Sequence, residues 1–271
     1  MADLAEKAEA FRRLHFGSRP FVLPNAWDVP SARVFEDAGF PAVATSSAGL
    51  MVSRGYPDGE AMPKRELVDA VGRIARVLRV PLSADVVSGY GRGPGAAVRT
   101  VRSIVAAGAI GINLEDLLPS HDGLVRPAAQ ARKIRAIRQL AGEIGVPLVI
   151  NARTDALRQT PGEPPAPLRE AIRRATAYRD AGADCVYPMG LTDAESIDTF
   201  VRAVGCPVNV MVRRGLPNLA ELERLGVKRV SFGPSASRVR PHKRSKTVVR
   251  KGATLNPRRK HESNGSAVSP R

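Results

Sequence analysis

Residues 107–116 read AGAIGINLED: a helix end in Ala-Gly, a short apolar run, and an acidic tip. Glycine at that position supplies the left-handed turn that stops a helix, and the apolar run that follows is a buried strand. The same punctuation returns in AGFPAVATSS (38–47), IGVPLVINAR (144–153), AGADCVYPM (181–189), VGCPVNVMV (204–212) and LGVKRVSFG (225–233). Where proline opens such a strand, it costs no ladder hydrogen bond. Working outward, eight strands are expected at 21–25, 42–47, 81–86, 111–116, 147–153, 185–189, 207–212 and 229–233. Amphipathic stretches near 31–38, 64–78, 95–107, 127–144, 168–181, 193–204 and 218–225 separate them.

Strict strand–helix alternation implies a parallel sheet. Eight repeats in about 215 residues suit a closed (β/α)8 barrel of the TIM type better than a doubly wound sheet, the open alternative. The barrel is expected over residues 1–233, without a regular eighth helix. Residues 234–271 carry no helical apolar stripe and are expected to be a disordered basic tail. A missing eighth helix would leave an apolar strip between the first and last strands, open to cover by the N-terminal helix near Leu4–Leu14 or by a second subunit.

Composition bounds the function. Hydrophobic residues make up 43% of the 271-residue chain, enough for a large core. No apolar run is long enough for a membrane span, and the first residues lack a secretory h-region, so a cytoplasmic protein is expected. Two cysteines, Cys185 and Cys206, make neither a disulfide framework nor a zinc site. The net charge of +16 would suggest nucleic acid if it covered a folded face. It does not: from Gly233 onward eleven Lys/Arg face Glu262 alone, leaving 31 basic and 25 acidic groups before it. No specific nucleic-acid partner is expected.

Barrel chemistry sits where the strands end. Polar residues gather there: Asn25, Trp27 and Asp28 after the first strand, Thr45, Ser46 and Ser47 after the second, and Asp85 with Ser88, Gly89 and Tyr90 after the third. Asn113, Glu115 and Asp116 end the fourth; Asn151, Arg153 and Asp155 end the fifth; Asn209 lies on the seventh. Carboxylates on neighbouring strands can share one hard cation, and an arginine beyond them suits a substrate carboxylate. Asp28, Asp116 and Asp155 read as helix caps or loop residues.

These motifs resemble the isocitrate lyase/phosphoenolpyruvate mutase superfamily, especially its short phosphonomutase-like members. The resemblance runs from Phe11 to Gly233 through LPNAWDVPSARVFEDAGFPAVATSSAG (23–49), GYPDGE (55–60), ADVVSGYG (84–91), GINLED (111–116), INARTDA (150–156) and PVNV (207–210). It implies Mg²⁺, with Mn²⁺ as substitute, held through Asp85 and Glu115 largely via water, and a small 2-oxo acid that chelates it. It implies Arg153 on the substrate carboxylate, backbone N–H groups around Ser46, Ser47 and Ala48 as an oxyanion site, and Asp58 in proton transfer. Asn25, Trp27, Ala48, Tyr90 and Asn209 are expected to contact substrate. Homo-oligomers are usual in the family. The reactions implied are C–C or C–P lysis, hydrolysis or phosphonomutase chemistry.

Two departures stand out. Val87 replaces a second carboxylate, and the loop LLPSHDGLVRP (117–127) lacks both the KxCGH of the lyases and the Lys and Asn of the mutases. The alternative is therefore a catalytically weak barrel that binds a metabolite or a protein partner.

Overall fold

The protein is described by a computed structural model covering residues 2–163 and 165–236. The basic tail from 237 onward lies outside the described residues. The elements run α1 (Ala2–His15), β1 (Phe21–Leu23), β2 (Asn25–Ala26), α2 (Val29–Asp37), β3 (Val43–Thr45), α3 (Ser47–Val52), α4 (Lys64–Val77) and β4 (Leu82–Asp85). They continue with α5 (Pro94–Ala106), β5 (Gly111–Glu115), α6 (Pro127–Glu143), β6 (Val149–Thr154), α7 (Ala156–Gln159), α8 (Ala166–Asp180) and β7 (Cys185–Pro188). Last come α9 (Ala194–Val204), β8 (Asn209–Met211), α10 (Leu219–Arg224), β9 (Arg229–Ser231) and a 3-10 turn, Gly233–Ala236.

All pairings between the strands are parallel, β2 through β7 in sequence and β1–β9–β8 beside them. Two features close the ring. β1 and β2 are halves of one strand interrupted at Pro24, and a parallel bridge between Val186 and Val208 joins β7 to β8. The result is the expected eight-stranded α/β barrel, and among the described residues no regular helix follows β9.

The expected helices lie within two residues of their predicted bounds, whereas the short α3 and α7 were not expected. Asp28 caps α2 as expected: its Oδ1 accepts from Ser31 N at 2.8 Å while Asp28 N donates to Ser31 Oγ at 3.1 Å, a reciprocal capping box. Asp193 and Asn218 cap α9 and α10 with one bond each, their side-chain oxygens accepting from Ser196 N and Glu221 N. The expected apolar strip is narrow: on the outer face of the β1–β9 seam, Val230 is buried and Val22 half-buried. No helix of the described residues is long and apolar enough to cross a membrane.

The N-terminal helix plugs the bottom of the barrel. Phe11 is fully buried, and a Cβ added at Gly111 would sit 2.6 Å from its ring, so only glycine lets the plug approach β5 this closely. His15 stacks edge-on against Phe11 and Phe21, with ring centroids 4.8 Å from each. Its Nδ1–H donates to the Phe11 carbonyl at 2.9 Å. Burial, reinforced by the positive charge of Arg229, pushes the His15 pKa down from 6.5 to about 3.

That shift makes a prediction. The unfolded chain takes up a proton below pH 6.5 that the folded imidazole refuses until about pH 3, so the His15 contribution is full above 6.5 and is lost as pH falls. Between pH 7 and pH 5 the native protein should lose about 2 kcal/mol more than His15→Leu in urea unfolding. Equal losses would mean that His15 is protonated in the fold.

Candidate active site

The strand ends meet in a cavity of about 560 Å³ whose lining includes Asn25, Ser46, Ser47, Ala48, Asp58, Asp85, Arg153 and Asn209. Register explains the convergence. Asp85, Asn113 and Asn151 pair side by side on β4, β5 and β6, so their side chains share one inward-facing layer. Asn151 Nδ2 donates to Asn113 Oδ1 at 2.9 Å, and Asn113 Nδ2 donates to Asp85 Oδ1 at 3.2 Å. Asp85 also accepts from Val87 N and Ser47 N, each at 3.2 Å. The carboxylate is thereby held in place on both oxygens.

Ser47 N–H is spent on Asp85, and Ser46 N–H on the Ala26 carbonyl at 3.0 Å. Of the three amides expected to form an oxyanion site, Ala48 N–H alone has no hydrogen-bond partner among the described residues, as is usual for a first-turn amide of a helix. Ser46 Oγ caps α3 by accepting from Gly49 N at 3.2 Å.

Glu115 does not share the main cavity with Asp85. It lines a neighbouring cavity of about 210 Å³ with Asp58, His121, Arg153 and Arg158. Arg153 lines both cavities with Asp58 and Arg158, and its Nη1 contacts Glu115 Oε2 at 2.7 Å. Its Nε and Nη2 donate to Asp155 Oδ2 and Oδ1 at 2.7 and 2.9 Å, a bidentate fork. The Nε–Nη2 edge of the guanidinium expected to grip substrate is therefore occupied by Asp155, and Nη1 by Glu115. Burial raises the Glu115 pKa to about 8 against the pull of Arg153. The two acids around Arg153 hold its pKa well above the ordinary arginine value.

Two expected contacts lie outside both cavities. Trp27 is turned edge-on against Phe35 of α2, centroids 6.5 Å apart. Tyr90 stands at φ 56°, its N–H donates to Glu60 Oε1 at 2.6 Å, and its ring packs against the apolar core. Glu60 also accepts from Ser88 Oγ at 2.6 Å, tying GYPDGE to the turn after β4. Val87 adopts φ 53°, rare for a β-branched residue, and its side chain is buried in the apolar core. Asp58 is exposed and lines both cavities, with Oδ1 accepting from Gly59 N at 3.0 Å. Asp116 is a fully buried hub, neither a cap nor a ligand: it accepts from Thr154 Oγ1, Asp155 N, Tyr178 OH and Arg174 Nη1 at 2.6–3.1 Å.

Sequence reasoning missed the cationic lining. Arg158, Arg213, Arg214 and Arg229 join Arg153 on the main cavity, against Asp58 and Asp85. Period-2 alternation from Ser231 would have placed Arg229 on the inner face. The lining thus holds more guanidinium than carboxylate groups.

A metal's fit can be judged from the donors. The side chains of Asn151 and Asn209 each keep a buried Oδ1 without a hydrogen bond, and both residues line the cavity beside Asp85. Oxygen donors of this kind suit a hard cation. Among the described residues no three acidic, histidine or cysteine side chains cluster to hold a metal, so such an ion would keep most of its waters.

Comparison with known proteins agrees with this reading of the fold. Residues 11–249 match the family model for phosphoenolpyruvate phosphomutase, further along the chain than the Gly233 limit expected from the motifs. The crystal structure of a Burkholderia cenocepacia protein provisionally described as a phosphonomutase superposes with a TM-score of 0.82 at 39% identity, covering 86% of this chain and 94% of that one. Oxaloacetate decarboxylase of a Bradyrhizobium strain is 32% identical over 83% of this chain and 76% of its own. The oxalate complex of an oxaloacetate acetylhydrolase is 28% identical with a TM-score of 0.77, covering 86% of this chain and 82% of that one.

The Arg153 cluster predicts a stability effect. Arg153→Met would leave Glu115 and Asp155 buried without their cation, at a cost of about 3–5 kcal/mol in urea unfolding. A loss below about 1 kcal/mol would show that solvent already screens the pair. With its barrel, its motifs and its family match along most of its length, the chain belongs to the phosphoenolpyruvate phosphomutase family, within the isocitrate lyase/phosphoenolpyruvate mutase superfamily of lyases and mutases.

Proposed function

We propose that the chain is a Mg²⁺-dependent enzyme that acts on a small 2-oxo acid through an enolate, breaking a C–C or C–P bond by lysis, hydrolysis or phosphoryl transfer. The observation that carries this reading is the fixed Asp85 carboxylate on a cavity otherwise lined by an excess of arginines. Asp85 would hold the ion directly, and Glu115 would reach it through water once Arg153 shifts. The bound cation would supply Lewis-acid stabilisation of charge on the oxo oxygen.

The chain's own groups carry the remaining work. Once shifted, Arg153 meets the substrate carboxylate and fixes its plane. Ala48 N–H donates to developing negative charge, which is worth more in a site with little water than in bulk solvent. Asp58 lines the cavity from an exposed loop and is the group able to exchange a proton between substrate and solvent. Asn25 shapes the opposite wall: its amide donates to the Thr45 carbonyl at 3.0 Å, and its Oδ1 accepts from Phe232 N and Gly233 N. The loop 117–127 contributes no lysine or cysteine, which argues against the acid used by isocitrate-type lyases.

Turnover of oxaloacetate, phosphonopyruvate and methylisocitrate with and without Mg²⁺ tests this. At least one should be consumed only with the metal, with Asp85→Ala reducing the rate by about 100-fold or more. Calorimetric Mg²⁺ binding that is unchanged in Asp85→Ala would remove the assigned site. Binding of 2-oxo acids without any turnover would favour the weak-barrel alternative, to which the ion-paired Arg153 and the buried Val87 lend support.

A further inference from the structure

Arg229 opens β9, with Phe21 and Asn209 as its register partners, and lies on the floor of the main cavity. It is 2% exposed, and its Nε and Nη1 are buried without a hydrogen-bond partner. The other buried guanidinium groups are matched: Arg153 by Glu115 and Asp155, Arg174 by Asp116 and Glu170. No carboxylate of the described residues comes within ion-pair distance of Arg229. Below it, His15 is neutral and offers no negative charge. Arginine does not shed its proton in proteins, and a buried charge without a partner is costly, so the site needs an anion. Burial lowers its pKa, with the Asp85 charge opposing that shift.

We infer that Arg229 receives a second carboxylate of the substrate at the floor of the cavity, so that the acid is a dicarboxylic 2-oxo acid rather than a monocarboxylic one. This rests on the function proposed above. One carboxylate and the oxo group occupy the Asp85 and Arg153 end, and the other reaches down between β8 and β1 to the Arg229 fork. The cavity of about 560 Å³ has room for a small acid in that pose. A planar guanidinium with donors still unspent is suited to bidentate contact with a carboxylate.

Calorimetry on the full chain with Mg²⁺ would compare pyruvate with difluorooxaloacetate, which adds the second carboxylate. The native protein should bind the dicarboxylate at least about tenfold more tightly, and Arg229→Met should bring the two within about twofold, with the loss falling chiefly on the dicarboxylate. A tenfold preference that survives Arg229→Met, or no preference in the native chain, overturns the inference. Should Arg229→Met fail to fold by near-UV circular dichroism, Arg229→Lys serves: it keeps the charge but not the fork, is expected to lose much of the preference, and overturns the inference by keeping all of it. Sulfate without metal is the probe that needs no 2-oxo-acid chemistry. It should raise the Tm of the native protein more than that of Arg229→Met. An Arg229-dependent sulfate shift with no 2-oxo-acid binding keeps the anion site and removes the function above; no such shift together with no dicarboxylate preference removes Arg229.

Discussion

Asn151 donates to Asn113, and Asn113 donates to Asp85, across three adjacent strands of one barrel. A barrel interior is ordinarily filled with branched apolar side chains, and a polar layer there is costly wherever a member is left without a partner, as Asn151 Oδ1 is. The direction of this chain is set by chemistry. An amide can both donate and accept, whereas a carboxylate accepts, so the two asparagines relay donors toward Asp85 and the series ends on negative charge. Ser47 N and Val87 N complete its partners from the neighbouring loops. The same layer thus closes the barrel core and presents a fixed carboxylate to the cavity above.

Around that carboxylate the charges divide into two systems. Arg153 is held where it stands by Glu115 and Asp155, while Asp116, Arg174 and Glu170 lock β5 and β6 to α8 behind it. These pairs cost desolvation and are weak sources of net stability, but removing one partner would strand the other in a dry interior. Arg229 is different because its Nε and Nη1 are buried without a hydrogen bond and no carboxylate of the described residues forms an ion pair with it, and Arg213 and Arg214 add further positive charge to the lining. A lining of this composition would favour anions and discriminate by where their charges fall.

Much of the barrel was legible in the sequence because its signal is repetitive. Six helix-to-strand junctions share one punctuation, and helix caps such as Asp28 follow from local hydrogen bonding alone. The placement of Asp85, Ser46, Ser47 and Arg153 at strand ends followed from the same repeat. What it could not supply was how side chains share partners across strands. Arg153 looked available until Asp155, two residues on, took its fork; Tyr90 looked like a ligand until its backbone turned to Glu60. Glu115 and Asp85 sit on neighbouring strands yet open on different cavities, with Arg153 lining both. Arg229 went unread for the opposite reason: at the start of a short strand it has the look of a surface residue, and only the inward parity of β9 buries it.

The account depends on Asp85 being the anchor of a cation at the end of the asparagine relay. A crystal structure of the protein with Mg²⁺ and oxalate, a mimic of the enolate of pyruvate, tests this most directly. The account requires one octahedral ion with Asp85 as its protein ligand, the oxalate chelated beside Ala48, and the Asn151–Asn113–Asp85 hydrogen bonds retained. Oxalate bound among the arginines with no ion at Asp85, or an ion coordinated elsewhere with the relay broken, would contradict it.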